Sequence, residues 1–106
     1  MQEFRFSSEH IFSMLKYNTS NITFQVLKQG KYFIAICSVL DLSTQGKTLE
    51  EAKKRMVEVI DIFFQEIVKK DAVEEILNEL GWEKIGNEMQ APNYVETAIY
   101  DHKTFA

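Results

Sequence analysis

Apolar and polar residues along this chain follow two different periods, and the change from one to the other divides it. Ile22, Phe24 and Val26 alternate with Thr23 and Gln25, the two-residue repeat of a half-buried strand. Lys28, Gln29, Gly30 and Lys31 then supply a tight turn, with Gly30 free to take positive φ. Over residues 31–40 both alternating sets are apolar: Tyr32, Ile34 and Ile36 on one, Phe33, Ala35, Cys37 and Val39 on the other. A strand of that kind is expected at the centre of a sheet, covered on both sides. Residues 42–45 read as a short third strand ending at Gly46, which completes an antiparallel meander.

From Thr48 the period becomes helical. Thr48 and Glu51 form a capping box, in which the hydroxyl accepts from the Glu51 amide and the carboxylate reaches back. Leu49, Ala52, Met56, Val59, Ile60, Phe63 and Ile67 recur every three or four residues and define one buried stripe on a helix over 48–70. Val57, Phe64 and Val68 fall to the side of that stripe and predict an apolar shoulder. We take this shoulder as the partner or dimer interface, because exposed apolar patches mark interaction sites. Asp71 is expected to cap a second, shorter helix whose buried face is Val73, Ile76, Leu77 and Leu80, with Gly81 at its C′ position and Trp82 folding back on it. Residues 83–92 read as a turn-rich connection, and 93–105 as a last strand through Tyr94, Thr97, Ile99 and Tyr100. Near the start, Phe4 and Phe6 fit a short strand, while Ile11, Phe12 and Leu15 fit a short helix. The predicted class is α+β: a three- to four-stranded, mainly antiparallel sheet with a long helix packed on one face and a second short helix.

Composition narrows the function. The chain has 106 residues, one domain's worth, with a core expected over 21–82, an N-terminal extension over 1–20 and a C-terminal segment over 83–106. Cys37 is the only cysteine, so no internal disulfide or multi-cysteine zinc site can form, and a reducing compartment is expected. The net charge of −4 sets a low expectation of direct nucleic-acid binding. No stretch has the length of a membrane span, and residues 1–10 lack a secretory pattern, so a cytoplasmic protein is expected.

Catalytic candidates are few. His10 and His102 lie far apart without metal-ligand spacing, and Cys37 sits mid-strand among apolar neighbours, where cysteine acts as a small hydrophobe. Gly46, Lys47 and Thr48 lack the upstream glycine of a phosphate loop. Asp41, the one acid flanked by apolar strand residues, is read as a strand end. No enzymatic activity, cofactor or metal is expected.

Residues 31–52 carry a resemblance. Gly46, Thr48, Glu51 and Ala52 spell Gly-x-Thr-x-x-Glu-Ala after three strands, and the segment from Ile76 to Trp82 contains Leu-x-x-Leu-Gly-Trp. This order resembles the HicB-like antitoxins, whose hallmark is a strand of the Tyr-x-Ala kind, a short polar strand and then that helix start. The resemblance spans roughly 21–82. It implies a partial ribonuclease-H-like domain without ribonuclease activity, which pairs with a small basic HicA-like RNA-cleaving toxin and covers its active surface. The sequence departs from the family in two places. Residues 38–43 replace the usual Pro and Gly before the third strand, and the 24 residues after Trp82 (106 − 82) show no C-terminal DNA-binding module. The alternative to an antitoxin is a stand-alone oligomeric scaffold of the same fold. A homodimer is expected in either case.

Overall fold

The computed structural model describes residues 18–19 and 21–103. The alternatives at Phe4, Phe6, Ile11, Phe12 and Leu15, and His10 with them, lie outside the described residues. The elements in order are β1 (Asn18–Thr19), β2 (Gln25–Gln29), β3 (Tyr32–Cys37), a 3-10 turn (Ser38–Leu40), β4 (Leu42–Gly46), α1 (Leu49–Lys69), α2 (Val73–Glu79), β5 (Glu83–Ile85) and β6 (Glu88–Gln90). The fold is α+β. One sheet is the antiparallel meander β2-β3-β4, with α1 packed on one face. The other is small: β5 and β6 form a hairpin, and β1 pairs parallel with β6.

The meander follows from its turns. Gln29 pairs with Tyr32, which leaves a two-residue loop with Gly30 at φ 60°, the position where a type II′ hairpin requires glycine. Ile22, Phe24 and Val26 are half-buried as their alternation predicts, yet the ladder begins only at Gln25, paired with Ile36. Residues before Gln25 find no ladder partner because the chain leaves β3 after Cys37. There it turns through Ser38, buries Val39 and Leu40, and reverses at Asp41, whose φ is 55°. The apolar run over 31–40 is therefore a strand plus a buried turn.

The junction from β4 to α1 is tight. Thr48 Oγ1 accepts from the Glu51 amide at 3.0 Å, which is half of the expected capping box. The other half is replaced, because the Glu51 carboxylate pairs with Arg55 at 3.0 Å. A Cβ on Gly46 would lie 2.6 Å from the Ala52 nitrogen, so only glycine lets the strand end pass under the first helical turn. Ala52 is fully buried at that crossing.

Both helices end in Schellman motifs. At the end of α1, Asp71 donates to Val68 and Ala72 to Ile67, with Asp71 at φ 52°. Asp71 thus terminates α1 rather than capping α2, whose N-cap is Ala72. At the end of α2, Gly81 donates to Asn78 and Trp82 to Leu77, with Gly81 at φ 89°. Trp82 is then buried, and its indole N–H donates to the Val39 carbonyl at 2.8 Å. That bond joins the helical end to the turn between β3 and β4.

The last quarter of the chain differs from its sequence reading. Strands form within 83–90, closed by Gly86 at φ 62°, and Met89 fills the core from there. Residues 91–103 have no regular structure, so the strand expected over 93–105 is absent from its described part. The hairpin strands are three residues each, too short to show a period. Residues 93–103 have strand-forming side chains but no ladder partner within the described chain.

Candidate functional site

The shoulder expected at Val57, Phe64 and Val68 is not an open patch. Phe64 is 6% exposed and Val68 3% exposed, both within the core, and Val57 is half-buried. The buried stripe of α1 shifts along its length. Its first half buries Ala52 and Met56 over β3 and β4, and its second half buries Phe64, Ile67 and Val68 in the same core as Val73, Leu77, Trp82 and Met89. A helix that meets a sheet at one end and a second helix at the other needs a wider apolar arc than a single stripe. Phe64 and Val68, two of the three residues read as surplus, fill that arc.

Apart from residues 94–100, two other surfaces carry exposed apolar side chains. The first lies on the sheet. Ladder register puts Tyr32, Ile34 and Ile36 of β3 on one face, with Gln25, Leu27 and Gln29 of β2 and Ser43 and Gln45 of β4 beside them. Phe33, Ala35 and Cys37 point the opposite way, toward α1. Among the described residues nothing covers the first face: Leu27, Tyr32 and Ile36 are exposed and Ile34 is half-buried. The central strand is therefore covered on one side, not on both. This open face carries no charged residue. Lys28, the charged residue of β2, is on the helix side, with Nζ 6.0 Å from the centre of the Phe33 ring.

The second surface is the outer side of α1. Ile62 is 55% exposed, with the exposed carboxylates Glu58 and Glu66 one turn before and one turn after it. Sequence periodicity did not single out Ile62, because one apolar residue on a polar face makes no pattern. Residues 48–80 carry nine acids and five bases, a balance of −4 (5 − 9); four of those acids, Asp71, Glu74, Glu75 and Glu79, follow α1, and the acids beside Ile62 are Glu58, Asp61 and Glu66. Two bases flank this face two turns away: exposed Lys69, and Arg55, which is held by Glu51 and by the Gln45 carbonyl, to which it donates at 2.9 Å. Burial raises the pKa of Asp61, the neighbour of Ile62 in sequence.

Chemistry-bearing groups are scattered. Among the described residues no three of His, Cys, Asp and Glu lie close enough to hold a metal ion. Burial raises the Cys37 thiol, partly offset by backbone hydrogen bonds from Leu40 and Val39, and Sγ lies 3.6 Å from the Thr23 carbonyl. A protonated, fully buried thiol is a core side chain. Asp41 is an exposed turn residue. A shallow cleft of about 260 Å³ lies among Ser38, Val39, Leu80, Pro92, Asn93 and Tyr94, where the Ser38 and Tyr94 hydroxyls meet. No helix among the described residues is long and apolar enough to cross a membrane.

Comparison with known proteins places no name beside these surfaces: no family model, curated protein or solved structure matches the chain.

Proposed function

We propose that this chain is a HicB-like, antitoxin-type binding module that acts in the cytoplasm. It neutralises a small basic RNA-cleaving partner by covering that partner's active surface, without catalysis or nucleic-acid binding of its own. The observation that carries the reading is the junction of Gly46, Thr48, Glu51 and Ala52. The four residues that bear the resemblance form one crossing of strand and helix, with each conformational demand met by the residue type present. The second resembling segment, ending at Trp82, packs into the same core.

The outer side of α1 supports the choice of partner. A basic surface would meet Glu58 and Glu66 and bury Ile62 between them, an apolar centre with a charged rim. Such a contact weakens as salt rises, since exposed charges are screened over about 8 Å at physiological ionic strength.

The test begins with the reading frames beside this one. A short frame encoding a basic protein should arrest growth when expressed alone, and co-expression of this chain should restore growth. Calorimetry on the pair should then show Glu58→Lys with Ile62→Lys and Glu66→Lys weakening binding by about 100-fold or more. All three positions are exposed, so the melting temperature should hold. Failure of the chain to bind or rescue against its basic neighbour sinks the reading. The second reading, a stand-alone oligomeric scaffold, is favoured by the open sheet face.

A further inference from the structure

Residues 95–103 run without regular structure, and the large apolar side chains among them are left almost wholly in water. Val95 and Ile99 are each 96% exposed and Tyr100 is 83% exposed. Scattered exposed apolar residues need no explanation, but consecutive turns of an extended segment this bare do. Its alternating sets differ in character. Val95, Thr97 and Ile99 are all β-branched and uncharged, whereas Glu96, Ala98 and Tyr100 include an acid. The sole proline, Pro92, precedes the segment, so every amide in it can donate to a ladder.

The meander offers a matching vacancy. Its two edges are β2 and β4. The β4 edge is obstructed, because Arg55 occupies the Gln45 carbonyl. Among the described residues no strand pairs with the outer edge of β2, and within that strand only Lys28 is charged. Unprotected edges of this kind are templates for strand addition.

We propose that residues 95–103, beyond the Tyr94 hydroxyl held at Ser38, form an exchange arm, which adds as an extra strand to the outer edge of β2 in a second copy of this chain. In that position Val95, Thr97 and Ile99 extend the open face of Leu27, Ile34 and Ile36. The alternate set faces the helix side, where Glu96 comes within reach of Lys28, a cross-strand pair of opposite charge. The occupant is a second copy because one chain carries both halves of the contact, the bare arm and the open edge. A two-fold axis makes both exchanges at once, which closes the assembly. Made twice, the contact reaches on the order of 1,000 Å², the scale of a specific interface. The proposal does not rest on the basic-partner reading, which uses the opposite side of the molecule.

Sedimentation and amide hydrogen exchange on the full chain test it. The wild type should sediment as a dimer at high concentration, with slow amides at Val26 and Lys28, the β2 residues that point to the outer edge, and at alternate positions over 95–100, all becoming fast on dilution to monomer. Val95→Lys with Ile99→Lys should raise the dimer dissociation constant by about 100-fold or more and leave the circular dichroism unchanged, since neither side chain touches its own fold. Four results overturn the proposal. The wild type could stay monomeric, a dimer could persist with fast amides at 95–100, or protection could survive in the monomer, which would mean the arm folds onto its own chain. An undiminished dimer in the lysine variant overturns it as well.

Discussion

Gly46 shows how little room a single residue has in this fold. Its neighbour across the junction is the backbone nitrogen of Ala52, not a flexible side-chain end that could move aside. Gly46→Ala should cost about 1–3 kcal/mol, the usual penalty for overpacking, visible as a lower urea midpoint with an unchanged slope. A variant as stable as the parent would show that α1 can lift off β4. Thr48 was legible as a cap because its role depends on residues three positions away. The fate of Glu51 was not, because Arg55 competes for it, and Arg55 is itself held by a strand carbonyl that only the fold brings near. Asp71 shows the same limit. Aspartate suits both a helix start and a left-handed helix end, and the neighbouring helices decide between them.

Among the elements, α1 carries the lesson. Its existence, length and cap follow from its periodicity, but its buried arc depends on what packs against each half. Phe64 lies inside that arc, in edge-to-face contact with Phe63, their ring centres 5.4 Å apart. Phe64→Glu should therefore unfold the chain or destabilise it by roughly 3–5 kcal/mol, with no folded monomer-only state. Far-UV circular dichroism during a denaturant titration decides this. A stable, fully folded Phe64→Glu protein would return the residue to the surface and restore the interface first read from the sequence. The β5–β6 hairpin makes the complementary point. Each strand is too short to show a period, and Met89 alone anchors the pair in the core.

At the scale of the whole molecule, the fold separates two kinds of surface. The outer side of α1, where Glu58 and Glu66 flank Ile62, and the neutral face of the meander, around Leu27, Ile34 and Ile36, lie on opposite sides of the sheet. If each is a binding surface, they should act independently. The triple lysine variant at Glu58, Ile62 and Glu66 should sediment like the wild type, while Val95→Lys with Ile99→Lys should keep its affinity for a basic partner within about threefold. A change in either cross-measurement would mean that the two surfaces are coupled.

What the amino-acid order determined by itself is the local part: the alternation of the meander, the glycine turn at Gly30, the Thr48 cap, the length of α1, the Gly81 helix end and the α+β class. Each depends on backbone preference or on spacing within a few residues. What only tertiary structure decided is coverage: that the meander is open on one face, that Phe64 and Val68 are core, and that residues 93–103 find no partner strand in the described chain. Periodicity reports which side chains are apolar. Whether an apolar face is covered depends on the distant segment that packs against it, and that partner is set by the geometry of the whole chain.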